Sequence, residues 1–219
     1  MSAGATQDPA AQLIARCGQV VFTAVPPDLD EFPPLDSEAR EALDQLVTDT
    51  GTVSGSIAEA TQWSIALRTE SELVLFGQPE DPERNDWSSV EFENRDGVWT
   101  QSRWGGCRLK IGAPGLGPAT VGLDPDNPPN PEDTELLLLI NEQECASGQP
   151  PDDREIVVLA TETTESVSVL ALVAPVEGGA ECPSNPWHPV TVELDAPLGD
   201  RELLDLHQYP PQSVVDAEQ

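Results

Sequence analysis

The residues of this chain best suited to chemistry are four cysteines, two histidines and one loop of closely spaced carboxylates. Cys17, Cys107, Cys145 and Cys182 form an even set with no Cys-x-x-Cys pair. Such a set reads as two disulfides rather than a redox or zinc motif, and disulfides belong outside the cytosol. The residues by themselves leave three pairings open. Gly106-Cys107-Arg108 sets a base beside one sulfur, so Cys107 is the reactive candidate if the thiols are free. His188 lies between Trp187 and Pro189, and His207 lies two residues before Tyr209. No Gly-x-Ser-x-Gly elbow accompanies either, so a serine-nucleophile triad has no frame. Neither has a neighbour at zinc-ligand spacing. His188 reads as a half-exposed ring at a strand start, and His207 as a surface residue of an acidic tail.

Asp124, Asp126, Asn127, Asn130, Glu132 and Asp133 collect hard oxygen ligands in one loop, as calcium requires. The loop lacks the Asp-x-Asp-x-Asp-Gly frame, and its prolines suit a rigid solvated connector. Asp124, Asp126, Glu132 and Asp133 are therefore expected to hold calcium only weakly, and no cofactor is called for. A glycosidase-type carboxylate pair is uninformative in a chain with 40 acids. Arg154 and Arg201 are the two bases beyond residue 115. They are expected to answer buried or half-buried carboxylates or carbonyls, which makes Gly199-Asp200-Arg201 a structural motif.

The elements that must position these residues divide at a Gly/Pro-rich stretch. Residues 1–14 read as a disordered spacer. Val20–Val25 reads as a strand stopped by Pro26-Pro27. Ala39, Ala42, Leu43, Leu46 and Val47 recur at helical spacing on one face. Asp36 or Ser37 can cap that helix and Gly51 can end it. Two hairpins follow, Trp63–Leu67 with Leu73–Phe76, and Ser89–Phe92 with Val98–Thr100 around Asp96-Gly97. Residues 15–111 thus form a small α+β module. Residues 112–118 read as a linker without hydrogen-bonded structure. Beyond it, strands are expected at Thr120–Leu123, Glu135–Asn141, Ile156–Ala160, Val167–Val173 and Val190–Leu194. Residues 119–212 are then an antiparallel β-sandwich, immunoglobulin-like in one form, with a tail at 213–219. Trp99 and Trp104, five apart on one limb, face opposite sides unless a bulge intervenes. One then packs in a core and the other is free to stack on a sugar or peptide.

Forty acids against ten bases give a formal charge of −30 in 219 residues. The excess is uneven, 19 acids and 8 bases through residue 115, then 21 and 2. A nucleic-acid duplex or an anionic membrane would repel such a surface. A cation, a basic protein or adaptation to a salty medium fits it. No stretch reaches the ~18 apolar residues of a membrane-crossing helix. Met1–Asp8 has neither the basic nor the apolar region of a signal peptide. Its small polar residues suit a spacer behind a cleavage site or a lipid anchor.

Several short motifs recur in order: Cys145-Ala146-Ser147-Gly148, then Cys182-Pro183-Ser184-Asn185-Pro186, then Val192-Glu193-Leu194 with Pro197-Leu198-Gly199-Asp200-Arg201, Leu203, Asp205 and Pro210-Pro211. Over residues 100–212 the chain resembles a group of uncharacterised exported proteins and lipoproteins of actinobacteria. Trp104-Gly105-Gly106-Cys107 extends the likeness more loosely. His207-Gln208 departs from it, where Gly-rich turn residues are expected. The resemblance implies export, a lipid anchor upstream and no assigned activity. Together with the spacing it implies Cys145–Cys182, a loop worth ~4 kcal/mol in the chain-entropy view, and leaves Cys17 for Cys107. The resulting expectation is an exported or envelope-associated protein without catalytic activity, binding an envelope protein or a glycan. The alternatives are a secreted hydrolase using a carboxylate pair and a calcium-stabilised adhesion-like module.

Overall fold

The computed structural model describes residues 13–18, 20–23, 32–50, 60–79, 81 and 87–217. The spacer was expected through residue 14, but Ile14 instead opens a strand whose pairing with a second one orders it; the spacer's first 12 residues, the strand beyond Thr23, the Pro26-Pro27 stop and the Gly51 helix end lie outside these residues. The described residues are mostly strand with one helix. The chain divides into two compact units, one spanning Ala15–Leu109 and one running from Lys110 onward.

In the first unit, β1 (Ile14–Cys17) and β2 (Val20–Phe22) form an antiparallel hairpin. The helix α1 (Ser37–Thr50) begins where Asp36 Oδ1 accepts the Ala39 N–H at 2.9 Å, an N-cap that satisfies one orphan donor. Its stripe of Ala39, Ala42, Leu43 and Leu46 packs on Leu73, Leu75, Val90 and Phe92. Those four belong to a sheet ordered β3 (Ala60–Arg68), β4 (Glu72–Pro79), β5 (Trp87–Arg95), β6 (Val98–Cys107). On the other face Phe76 stacks on Trp87 at 5.2 Å and meets Phe22 edge-on at 5.1 Å. Asp96 and Gly97, both at positive φ, close the β5–β6 hairpin. Mirror-image turns of this kind match the right-handed strand twist. The pairing slips between Glu91 and Phe92, which face Arg103 and Gln101, so Ser102 is an extra residue. This bulge cancels the odd spacing of Trp99 and Trp104, whose partners Asn94 and Val90 share a face.

The second unit opens with β7 (Leu109–Gly112) and β8 (Gly117–Leu123). The stretch expected as an unbonded linker is instead a tight turn. Ala113 and Leu116 exchange N–H···O bonds of 3.3 and 3.0 Å, and Gly115 sits at φ 80°. Pro114 followed by glycine at positive φ suits a type II turn, so the same residues that break regular structure here join two strands. Next come β9 (Glu135–Glu142), β10 (Ile156–Glu162), β11 (Ser166–Val173), β12 (His188–Glu193) and β13 (Glu202–Asp205). Five short pieces were not legible in the pattern: β7, β13, β14 (Gln208–Tyr209), β15 (Gln212–Ser213) and β16 (Val215–Asp216). Residues 213–216, expected as a tail, are therefore partly in register with the sheets.

The path β12-β9-β8-β11-β13-β15 has β10 beside β11 and β16 beside β8. One edge of β8 serves two neighbours. Gly117–Ala119 pairs with Val173–Ala171, and Gly122–Leu123 pairs with Val215–Asp216. There the strands part into two layers, β12-β9-β8-β16 and β10-β11-β13-β15. Val121, Leu136, Leu138, Ile140 and Val192 of one layer share a core with Val167, Val169, Ala171 and Val173 of the other. The β11–β13 and β8–β16 pairs are parallel, so the arrangement is not purely antiparallel. Trp187 lies across Gly122, where a Cβ would stand 3.0 Å from the indole.

Leu138 is fully buried in the middle of this core. Leu138→Ala is expected to cost ~2–5 kcal/mol in urea-unfolding experiments, the usual result of an unfilled cavity. A loss below about 1 kcal/mol would mean that the two layers do not close on it as described.

Candidate functional site

The four cysteines pair as Cys17–Cys107 and Cys145–Cys182, and no free cysteine remains. Cys17–Cys107 ties β1 to the last residue of β6. Around Cys145–Cys182, the Ser147 N–H bonds Glu181 O at 2.9 Å, and Ser147 Oγ accepts the Glu181 N–H at 3.0 Å. Asn185 Nδ2 donates to Glu142 O at 2.9 Å and Glu144 O at 2.7 Å, while Asn141 Nδ2 donates back to Asn185 O at 2.7 Å. The two cysteine motifs are thus one stapled corner.

Both arginines of the second unit are held by carboxylate and carbonyl oxygens. Arg154 grips Glu142 through both guanidinium ends at 2.6 and 2.5 Å and donates to Ala174 O at 2.8 Å. The two side chains are 16% and 3% exposed. The Glu142 hydrogen bond pushes the Arg154 pKa up. Arg201 donates to Glu162 Oε2 at 2.6 Å and to the carbonyls of Leu198, Ala196 and Pro197. Glu162 Oε1 in turn accepts the Asp195 N–H at 2.7 Å. The Arg201 hydrogen bond, then the Asp195 N–H, hold Glu162 below the ordinary carboxylate range. Gly199, at φ 61°, donates its N–H to Pro131 O, and Asp200 is exposed. The Gly199-Asp200-Arg201 motif therefore clamps the 195–199 turn onto β10 and the 131–133 loop.

His207, expected at the surface, is instead mostly buried. Its Nδ1 lies 2.6 Å from Asp205 Oδ2, with side chains 15% and 4% exposed. Asp205 Oδ2 also accepts the Val121 N–H at 2.8 Å, and Oδ1 accepts the His207 N–H at 2.9 Å. Sequence reasoning missed this pair, whose signal was the Asp-x-His spacing in a strand that its four residues make hard to see. His188 sits at the start of β12, half-buried, with Nδ1 3.3 Å from Asp152 Oδ1.

The carboxylates of the proposed calcium loop turn inward on the loop itself. Asp124 Oδ1 accepts the Asp126 N–H at 3.0 Å, and Asp133 Oδ2 accepts the Asn130 N–H at 2.7 Å. Glu132 is exposed. Among the described residues no three His, Cys, Asp or Glu side chains gather as a metal would need. Two of these oxygens thus shape two separate turns.

The margin of the first unit's sheet carries exposed apolar side chains beside a groove. Among the described residues β6 pairs with β5 alone and ends the sheet. Val98 is 59% and Trp104 45% exposed. Between β6 and α1 runs a groove of about 310 Å³ lined by Leu46, Phe92, Val98, Trp99 and Gln101. Trp99 Nε1 donates to Glu38 Oε1 of the helix at 2.7 Å, which fixes that indole at the groove wall. No family model, curated protein or solved structure matches the chain significantly.

Arg154→Met is expected to destabilise by ~3–5 kcal/mol, because it leaves the Glu142 carboxylate buried without its counter-ion. Adding Glu142→Leu should restore most of the loss in the same chemical-denaturation assay. Glu162 supplies a pH test. Its pKa is depressed on folding, so its contribution is present above the ordinary glutamate value of about 4.3 and disappears as pH falls through the folded value. Glu162→Gln should therefore lower stability near neutrality and flatten the decline below about pH 4.3 relative to the parent. An identical acid-side slope in both proteins would contradict the assignment.

Proposed function

We propose that this protein is an exported or cell-envelope-associated scaffold without catalytic activity, whose role is binding or structural. The observation that carries the reading is the complete pairing of four cysteines in two disulfides. Such bonds persist in oxidising compartments and are rare in reducing ones. The likeness of residues 100–212 to actinobacterial exported proteins and lipoproteins supports the same reading, with a lipid anchor upstream. None of the described helices is long and apolar enough to cross a membrane. The β-sandwich is read as immunoglobulin-like in its two facing layers, with the parallel pairs as a variation on that plan.

The buried ionisable groups support a structural role. Glu142, Glu162 and Asp205 each accept hydrogen bonds from an arginine, a histidine or the backbone. A hydrolase working through a carboxylate pair would have to draw on groups already holding the fold together. The partner on this reading is an envelope protein or a glycan. Nucleic acid is disfavoured by the charge of −30.

The test is thiol trapping in the cells that make the protein. Alkylation with a bulky maleimide before lysis should leave the chain unlabelled unless a reductant is added first. Labelling of all four cysteines without reductant would place the chain in a reducing compartment and end the proposal.

A further inference from the structure

The two disulfides stand in different surroundings. Cys17 is fully buried, in a hairpin whose Ala15, Val20 and Phe22 are buried as well. Cys107 is half-buried at the end of β6, in register with the buried Trp87. Cys145 and Cys182 are both exposed, and so are their neighbours Glu144, Glu181 and Pro183. Exchange requires an external thiolate to reach one of the sulfurs, so an exposed disulfide is labile where a buried one resists.

The exposed bond also crosses the chain where other interactions already hold it. β9 and β12 are zipped together from Glu135–Glu193 to Ile140–His188, and the disulfide lies just beyond that last pair. Between the ladder and the sulfurs, Asn185 Nδ2 donates to the carbonyls of Glu142 and Glu144, and Asn141 Nδ2 donates to Asn185 O. On the far side, the Ser147 N–H bonds Glu181 O and the Glu181 N–H bonds Ser147 Oγ. These hydrogen bonds flank the sulfurs on both sides. They keep Cys145 beside Cys182 whether or not the covalent bond is closed.

We infer that Cys145–Cys182 is a reversible exchange site for an external dithiol, opening and reclosing within a corner that stays folded while Cys17–Cys107 remains shut. A thiolate of the dithiol attacks one sulfur and forms a mixed disulfide with it. The Cys145–Cys182 bond breaks, and the other sulfur leaves as a thiolate that takes up a proton. The second thiol of the dithiol then closes on the first and releases the remaining cysteine. Two electrons and two protons pass to the corner, and the dithiol becomes a disulfide. This goes beyond the scaffold reading and does not rest on it. In the thiol-trapping test, labelling confined to Cys145 and Cys182 would be this exchange in progress. It differs from the labelling of all four cysteines that ends the export reading.

The experiment treats purified, oxidised, folded protein with dithiothreitol for increasing times, traps thiols with a maleimide and maps them by mass spectrometry. Cys145 and Cys182 should become labelled at least about tenfold faster than Cys17 and Cys107, because access controls the rate. In denaturant the two pairs should open at similar rates, which assigns the difference to the fold. Sheet circular dichroism should persist while the exposed pair is open. On transfer to glutathione disulfide the pair should reclose internally rather than stay as mixed disulfides. Asn185→Ala removes two of the flanking hydrogen bonds and should slow that reclosure by about tenfold. If this variant does not fold, reclosure of the parent with and without denaturant makes the same comparison. A Cys-x-x-Cys protein in place of dithiothreitol separates the sources: reduction by both supports a protein donor, and reduction by dithiothreitol alone a small one. Equal labelling of all four cysteines in folded protein would overturn the inference. So would loss of the sheet signal as Cys145 and Cys182 open, or reclosure that neither Asn185→Ala nor denaturant slows.

Discussion

The second unit depends on a single carboxylate at the place where its two layers separate. β8 pairs with β11 through Ala119 and with β16 from Gly122. Between those ladders the Val121 N–H faces the gap, and a buried backbone donor without a partner costs roughly as much as a lost hydrogen bond. Asp205 fills the gap. It comes from β13 in the opposite layer, so the same side chain both satisfies β8 and tethers β13 to it. A lone buried carboxylate would itself be unfavourable, and His207 meets it at 2.6 Å through Nδ1. The strand order, the parting of the layers and the return of the C-terminal pieces to β8 and β13 all rely on that junction.

Scarcity of positive charge shapes the rest of the unit. Two arginines serve 21 acids beyond residue 115. Both are placed where a cation is worth most, against carboxylates shielded from water, and both also take carbonyls that no ladder satisfies. The remaining acids lie mostly at the surface, where solvent and salt screen them. Most of the acidity therefore lies outside the packing, while the fold uses a handful of charges in fixed positions.

In the first unit the same economy appears at the helix. Asp36 caps α1 and also takes Arg68, which bonds Glu38 as well. The Ala39 N–H, more than the arginine, holds Asp36 below its ordinary value. This small network sets the helix across one end of the sheet, and Glu38 reaches Trp99 at the other side of the groove. The exposed β6 margin is thus backed by a helix fixed at its first turn and by a disulfide at the strand's last residue.

Local pattern in the sequence was enough for the elements whose signals are local. The stripe Ala39–Leu46 specified α1, the alternation Val167–Val173 specified a strand with one buried face, and Asp96-Gly97 specified a hairpin. Each depends on periodicity or on backbone preferences of one or two residues. The even cysteine count indicated disulfides but left three pairings open, and only the folded chain brings Cys17 to Cys107 and Cys145 to Cys182. Tertiary structure decided what depends on partners distant in the chain. Strands of two to four residues such as β13 to β16 carry no readable period. The Gly112–Pro118 stretch became a bonded turn because β7 and β8 flank it. His207 went inside to meet Asp205, and of the calcium-like acids Asp124 and Asp133 each cap a separate turn while Glu132 faces solvent. The Ser102 bulge put Trp99 and Trp104 on one face, since an extra residue shifts a two-residue period by one. Short-range preferences thus determined the helix, the longer strands and the Asp96-Gly97 turn. Which groups meet in the interior was set largely by the demands of buried charges and of backbone donors such as the Val121 N–H, and those demands exist only once the chain has folded.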